Sequence, residues 1–329
     1  MPHPRLTIIL GAPRSGTTWL GKVFDSHSRV FYRHEPDLLG GHEPLPDICS
    51  APLTRRDMLI VRHFMERMMD ERNLKASCSL PVFRKQHDSG FSHSLRTAAV
   101  LMLKAAGQIV PRRHHKRLAL PCCLDQPRDR GSHVVMKSVT SLGRANLLFH
   151  ALPEARFIFI IRNALGQVAS RLQGMRLGKM PDHITNPAML ALPAAVCLGL
   201  TPDHFRTLPL AEQLAWEWAL MNEKTHTDIA ASPRTRIIRH TDLVTHPIAR
   251  IQELMTFAGL AWEEGVETFI QKSTQFKGRE SYFQVMRDSR AITGKWRHAL
   301  TPDERRQIQS VMRITAAHDP WPEVLKSPL

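Results

Sequence analysis

Short apolar runs alternate along this chain with longer segments in which apolar residues recur at helical spacing. The runs are rich in Ile, Val and Phe, as is typical of buried parallel strands. They lie at residues 6–10, 30–32, 134–136 and 156–161, and residues 234–239, Arg-Thr-Arg-Ile-Ile-Arg, are a further predicted strand. Helical spacing is found at residues 16–26, 55–71, 94–109, 165–172, 210–231, 248–258 and 302–317. This alternation predicts an α/β fold, a mainly parallel central sheet with helices on both faces.

The chain has 329 residues, a length that allows two domains or one large three-layer domain with insertions. From about residue 40 to 130 the composition shifts to Pro, Arg, His and Met around two amphipathic helices. Neither helix carries polar residues at catalytic spacing. We therefore interpret this segment as a helical insertion that shapes a substrate site.

The chain is strongly basic, with 45 Lys and Arg against 30 Asp and Glu and a formal net charge of +15. This charge favours an anionic partner, such as nucleic acid, a phosphorylated ligand, an acidic glycan or a membrane surface. Five cysteines without a CxxC pair argue against a disulfide framework or a zinc ribbon. The first apolar run lacks a signal-peptide pattern, so we expect a cytoplasmic protein, with peripheral membrane contact left open.

The sharpest local pattern is the loop after the first strand, Gly-Ala-Pro-Arg-Ser-Gly-Thr-Thr at residues 11–18. Its glycines have the spacing of a phosphate-binding P-loop, which offers backbone N–H groups and a helix N-terminus to an anion. Thr17 stands where nucleoside triphosphatases have Lys, and Arg14 places the cation inside the loop. The loop therefore predicts binding of a phosphate-like group without a dedicated metal.

At these residues the chain resembles a known family. Residues 13–20, Pro-Arg-Ser-Gly-Thr-Thr-Trp-Leu, resemble the 5′-phosphosulfate loop of sulfotransferases that use 3′-phosphoadenosine 5′-phosphosulfate (PAPS). Arg162 closes a buried strand and Ser170 follows eight residues later, as in the family's 3′-phosphate site. A guanidinium fork and a hydroxyl suit such a phosphate. Residues 289–304 resemble the family's lid segment with its Lys-Trp pair, and residues 239–247 resemble a weaker element after a late strand.

The chain departs from the family pattern at two places. Asn163-Ala164 replaces the Asp-Pro that often follows the strand-end Arg, and His240-Thr241 replaces Tyr-Glu before Asp242. The first departure bears on the 3′-phosphate site, whereas we interpret Asp242 as a structural capping residue.

Within the family, Phe-Tyr-Arg-His-Glu-Pro at residues 31–36 resembles the F-Y-x-x-E-P segment of carbohydrate sulfotransferases, and protein-tyrosine sulfotransferases place a catalytic Glu nearby. The resemblance implies Glu35 as the general base, which would take the proton of an acceptor hydroxyl. His34 and Asp37 are rival bases, but the alternation of side chains along a strand predicts that His34 points away from Glu35. Arg14 and Lys137 would stabilise charge on the leaving oxygen.

The resemblance also implies a donor site and a single sulfotransferase domain over residues 1–329 with a P-loop-like fold. At the 5′ end we expect Arg14, Ser15, Gly16, Thr17 and Thr18. We expect Arg162 and Ser170 to bind the 3′-phosphate. A C-terminal lid at about 274–300 would add Arg279 and Lys295 to the donor site. The product would be adenosine 3′,5′-bisphosphate (PAP), and no metal is implied.

The acceptor suggested by this branch is a hydroxyl on a saccharide or glycolipid, with a protein tyrosine as the runner-up. A P-loop kinase or nucleotide hydrolase is a second class, disfavoured by the missing loop Lys. A non-catalytic nucleic-acid binder is a third class, which the charge allows but which no RRM, helix-turn-helix or zinc-finger pattern supports. The run of basic residues at 112–117 is interpreted as a solvated loop. The oligomeric state is not indicated.

Overall fold

A computed structural model describes residues 5–39, 45–49, 53–125, 131–184, 187–275 and 294–317 of the chain. The five predicted strands form one sheet in the order β2-β3-β1-β4-β5. They are β1 (Arg5–Leu10), β2 (Val30–His34), β3 (His133–Ser138), β4 (Arg156–Ile161) and β5 (Thr235–Arg239). Every neighbouring pair is parallel, which confirms the predicted α/β class.

Helices fill the connections between the strands. Those before β3 are α1 (Thr17–Asp25), α2 (Arg55–Met69), α3 (Leu74–Ser77) and α4 (Gly90–Ile109). Between β3 and β5 lie α5 (Ala145–Ala151), α6 (Ala164–Arg176), α7 (Pro193–Cys197), α8 (Pro202–Thr207) and α9 (Leu210–Ile229). After β5 come α10 (His240–Thr245), α11 (Pro247–Ala258), α12 (Glu264–Thr274), α13 (Trp296–Ala299) and α14 (Pro302–Ala317). Among the described residues, none of these helices is both long and apolar enough to cross a membrane.

The sheet is buried between two apolar cores. In β1, Ile8 and Leu10 belong to the core that includes residues of α2, α5, α6, α9 and α14, whereas Ile9 belongs to the core built with α1, α11 and α12. Successive residues of a strand point to opposite faces, so a strand covered on both sides is apolar throughout. The continuous apolar runs in the sequence follow from this three-layer arrangement.

A buried ion cluster fastens the insertion to α1. Asp25 Oδ2 pairs with Lys22 Nζ at 2.5 Å, and Asp25 Oδ1 pairs with Lys85 Nζ at 2.9 Å. Lys22 Nζ also donates to the Pro81 carbonyl at 2.6 Å. Burial raises the pKa of Asp25, but the two lysines outweigh it and hold the pKa at about 2. The cluster therefore joins the segment between α3 and α4 to the helix that follows the P-loop.

We predict that Asp25→Asn lowers the free energy of unfolding by about 3–5 kcal/mol, because two buried lysines lose their counter-charge. The folded pKa lies below the unfolded value of 3.8. The contribution of Asp25 is therefore complete above that value and is lost as the pH falls through about 2. Urea unfolding at neutral pH measures the loss.

The control is Asp203→Asn in α8, whose carboxylate pairs with Arg206 on the exposed surface. This change should alter stability by less than about 0.5 kcal/mol. Equal losses in the two variants would contradict the assigned role of the Asp25 cluster.

Candidate active site

The loop between β1 and α1 curls tightly because two of its residues have left-handed backbone. The φ angle is 73° at Arg14 and 98° at Gly16. A Cβ atom built on Gly16 would lie 2.8 Å from the ring of His240, so this position needs glycine for both conformation and space. Gly16 is also the N-cap of α1, and it has no side chain to bond the first N–H groups of that helix. The loop and helix terminus thus form a cradle suited to an anion.

The two motifs that the sequence separates by some 150 residues meet at the carboxyl edge of the sheet. Arg162 Nη1 donates to the carbonyl of Arg14 at 2.9 Å, and Arg14 Nε donates to Ser170 Oγ at 3.0 Å. Gln167 Nε2 donates to the carbonyl of Pro13 at 2.8 Å. Because β1 and β4 are hydrogen-bonded neighbours, the end of β4 and the start of α6 hold the loop directly.

Glu35 follows β2 and lies between two lysines. Its Oε1 pairs with Lys137 on the adjacent strand β3, and its Oε2 lies 2.7 Å from Lys75 Nζ. Its backbone N–H donates to the carbonyl of Lys137 at 2.8 Å. Burial raises the pKa of Glu35, but Lys137, then His34 and Lys75, outweigh it and hold the pKa well below its ordinary value. Burial also lowers the pKa of Lys137, although Glu35 opposes that change.

His34 lies beside Glu35 and does not point away from it, so the expectation from strand alternation is wrong. Its Nε2 is 4.0 Å from Glu35 Oε2, and its Nδ1 is 3.0 Å from Tyr32 Oη. The reason is the left-handed backbone at Glu35, where φ is 46°, because alternation ends where the strand ends. Burial, followed by the charge of Lys137, lowers the pKa of His34 to about 3. This imidazole is therefore neutral at physiological pH.

Asp37, the other rival base, accepts hydrogen bonds from the end of β3 and the loop that follows it. Its Oδ2 accepts from the hydroxyls of Ser138, Thr140 and Ser141 at 2.5, 2.8 and 2.7 Å. Arg144 Nη2 lies 3.5 Å from the same oxygen. These contacts tie Asp37 to the β3 loop and give it a structural task.

The predicted residues surround one cavity of about 740 Å³, a volume in the range of small-molecule sites. Those that line it are Arg14, Gly16, Thr17, Thr18, Glu35, Lys137 and Arg162. Ser15 is buried, and its Oγ has no hydrogen-bond partner among the residues that the structure describes. Ser170 bonds Arg14 from α6. Lys295 is exposed and does not line this cavity, and Arg279 lies outside the described residues.

Several lining residues were not predicted. Lys75 comes from the single-turn helix α3, which begins at its Asn73 cap, and nothing in its local sequence marks it as part of a site. His240 stands where the family pattern has Tyr. It follows β5 directly, at the edge of the sheet where ligands bind in parallel sheets. Burial, followed by the charge of Arg162, lowers the pKa of His240 to about 3. Arg171 and Glu217 add a buried ion pair to the wall.

The charge of the lining favours an anion. Six lining residues are Lys or Arg, against three that are Asp or Glu: Arg14, Lys75, Lys137, Arg162, Arg171 and Lys179 against Glu35, Asp47 and Glu217. In the part of the chain that the structure describes, no three His, Cys, Asp or Glu side chains are grouped so that they could hold a metal ion.

A profile of the sulfotransferase family matches residues 7–264, which contain β2 to β5, β1 from its third residue onward and most of the cavity lining. This chain belongs to the sulfotransferase family. The protein is therefore a sulfotransferase enzyme, as the resemblance of the P-loop and of the Arg162 motif predicts.

Individual relatives are distant in sequence. Mouse carbohydrate sulfotransferase 5 is 23% identical over 334 residues, which cover 92% of this chain and 77% of that protein. Human carbohydrate sulfotransferase 6 is 23% identical over 331 residues, which cover 92% of this chain and 77% of that protein. Among solved structures, the sulfotransferase domain from the curacin biosynthetic pathway has a TM-score of 0.44 and 15% identity, and 97% and 100% of the two chains are covered. A mouse sulfotransferase complexed with PAP has a TM-score of 0.43 and 12% identity, with 97% and 87% covered.

We predict that Gly16→Ala destabilises this sulfotransferase by about 2–3 kcal/mol. An alanine in the left-handed backbone conformation lowers the free energy of unfolding by about 1 kcal/mol, and the contact of its methyl group with His240 adds the rest. The matched control is Gly178→Ala, where φ is +63° but no atom lies within 4 Å of the new methyl group. Urea unfolding of both variants separates the contact from the backbone cost.

Adding His240→Ala to the Gly16→Ala variant should recover the excess loss, because the ring that the methyl group meets is removed. Equal losses in the two glycine variants would show that His240 does not pack against the loop.

Proposed function

We propose that this sulfotransferase moves a sulfuryl group from PAPS to a hydroxyl of a saccharide or glycolipid, leaving PAP. The observation that carries the proposal is the convergence of the P-loop and Arg162 around one cationic cavity that also contains Glu35, with Ser170 bonded to Arg14. A loop alone would suit many phosphates. A second anchoring point beside it suits a ligand with two separate anionic groups.

The loop residues fit the 5′-phosphosulfate. The backbone N–H groups of residues 16–18, at the N-terminus of α1, offer donors to an anion. The buried Ser15 hydroxyl has no hydrogen-bond partner among the described residues, and a buried polar atom of this kind is stabilised by a ligand that bonds it. The guanidinium of Arg14 supplies charge at the same place.

Arg162 and Ser170 are assigned to the 3′-phosphate, as the family resemblance implies. The bond from Arg162 to the Arg14 carbonyl fixes the guanidinium at the rim of the loop. A fixed guanidinium binds phosphate by charge and by paired N–H donors, so discrimination against a nucleotide without a 3′-phosphate follows. The lid residues Arg279 and Lys295 remain predictions for the same site.

In the reaction, the acceptor oxygen forms a bond to sulfur while the bond from sulfur to the bridging phosphate oxygen breaks. Glu35, ionised between two lysines, takes the acceptor proton. Lys137 and Arg14 stabilise the negative charge that develops on the leaving oxygen. A Lys137 engaged with that charge no longer compensates Glu35, so the carboxylate becomes a stronger base as transfer proceeds.

A carbohydrate acceptor is supported by two observations. Residues 31–36 carry the F-Y-x-x-E-P segment, and two relatives whose matches cover 92% of this chain are named carbohydrate sulfotransferases. The cavity wall also includes Lys75 and Asp47 from the segment between β2 and β3, and Lys75 contacts Glu35.

We predict that Arg162→Ala weakens PAP binding by about 10- to 150-fold, since a charge-assisted phosphate contact is worth about 1.5–3 kcal/mol. Calorimetric titration with PAP and with 5′-AMP, both without metal, measures the loss. The wild-type protein should prefer PAP, and Arg162→Ala should reduce this preference because only PAP carries the 3′-phosphate.

Arg206→Ala is the matched control, because Arg206 is exposed on α8 and pairs only locally with Asp203. It should bind PAP like the wild type. A wild-type protein that binds PAP no better than 5′-AMP, or that prefers Mg·ATP, would contradict the proposed donor and favour a kinase.

We predict that Glu35→Gln reduces kcat by at least about 1,000-fold and leaves PAP affinity within a few-fold of wild type, because a base acts on the acceptor proton. Transfer from radiolabelled PAPS to a panel of oligosaccharides and glycolipids, with a tyrosine peptide for comparison, measures turnover. The control is Glu253→Gln on the exposed side of α11, paired locally with Arg250. Turnover that survives in Glu35→Gln would transfer the role to His34 or another group, and transfer to the peptide alone would exclude the saccharide.

A further inference from the structure

Helix α4 presents a continuous apolar face to the surroundings. Phe91, Met102 and Ile109 have 78%, 65% and 86% of their surface exposed, and Leu101 has 51%. Exposed apolar positions recur three and four residues apart along the whole helix, at Phe91, Leu95, Ala98, Met102, Ala105 and Ile109. This spacing keeps them on one side of a helix. An apolar stripe about five turns long is much larger than the scattered exposed side chains of an ordinary surface.

The opposite side of α4 is fixed to the protein. Val100 packs in a small buried cluster with Cys78 and Leu120. Arg96 pairs with Asp88 at 2.7 Å and also donates to the Phe83 carbonyl. Because the helix is anchored along its inner side, its outer apolar face is a stable surface of the folded protein. No residue that the structure describes covers that face.

The charge around this face identifies the partner. Residues 97–124 contain five Lys or Arg and no Asp or Glu. Four of these cations follow the end of α4, within residues 112–117. A second copy of the chain carries the same net charge of +15, and the repulsion between two such copies disfavours self-association. Apolar side chains beside an acid-free basic segment match an anionic lipid surface, where acyl chains lie beneath phosphate headgroups.

We propose that α4 docks this protein onto an anionic bilayer, with its apolar stripe at the boundary between headgroups and acyl chains. The positive charge of residues 112–117 attracts the anionic surface of the same leaflet. The helix lies in the plane of the membrane surface and does not cross it, in keeping with the absence of a spanning helix among the described residues. This docking does not depend on the donor or on the acceptor.

The test is sedimentation of the full chain with vesicles of phosphatidylcholine alone and of phosphatidylcholine with about 30% phosphatidylserine. The wild type should bind the anionic vesicles and not the neutral ones, and salt should weaken the binding. Phe91→Glu with Met102→Glu should weaken it at least about tenfold, because two carboxylates enter the stripe. Ile109→Glu alone should weaken it to a smaller degree.

The matched control is Leu177→Glu with Val196→Glu, which changes two exposed apolar residues on α7 and at the end of α6. It should bind like the wild type, and equal thermal unfolding of all variants shows that the fold is kept. Binding that persists in Phe91→Glu/Met102→Glu would contradict the proposal, since charge alone would then explain it. A wild-type dimer that this double variant separates, without vesicle binding, would also overturn it and make the stripe a subunit interface.

Discussion

The hydrogen bond from Arg162 to the carbonyl of Arg14 is the contact on which the arrangement of the site depends. Arg14 has a left-handed backbone, which for a residue with a side chain costs about 1–2 kcal/mol. Arg162 and Gln167 both donate to carbonyls of this loop, so the end of β4 and the first turns of α6 stabilise a conformation that the loop alone disfavours.

The second constraint is the charge balance around Glu35. A buried carboxylate on its own would take up a proton, because burial disfavours its charged form. Lys137 and Lys75 contact its two oxygens separately and reverse this preference. One carboxylate between two ammonium groups leaves a net positive charge at the carboxyl edge of β2 and β3. The site therefore attracts an anion and holds an ionised carboxylate at the same time.

Much of the fold could be predicted because buried strands of a parallel sheet are rich in apolar residues. The five predicted strands are the five strands of the sheet that the structure describes. Helix α5 was missed because its seven residues are too few for a periodic pattern. Helix α12 is not among the predicted helices, although its buried residues have helical spacing. These are Val266, Phe269, Ile270 and Ser273. Asn163 departs from the family's usual Asp, yet its side chain accepts from the Gly166 N–H at 2.7 Å and so caps α6 as an aspartate would.

The candidate site was predictable where its residues belong to strand ends and to the P-loop, since those positions are set by sheet topology. Lys75 was not predictable, because it reaches Glu35 from a helix in the insertion and the path of that insertion depends on packing over long distances. The orientation of His34 was mispredicted for a local reason, the left-handed turn at Glu35. Alternation describes residues inside a strand and fails at the first residue beyond it.

The position of Lys75 has a consequence for how such enzymes can diverge. The cradle at the P-loop is positioned by the strands of the parallel sheet. Lys75, in contrast, lies on α3 in the insertion. Helix α3 packs against α4, where Leu74 fills the space beside Gly107. Changes in the insertion can therefore alter the proton affinity of Glu35 without touching the cradle. The insertion thus contributes to the basicity of Glu35, although Lys137 on the sheet contributes more.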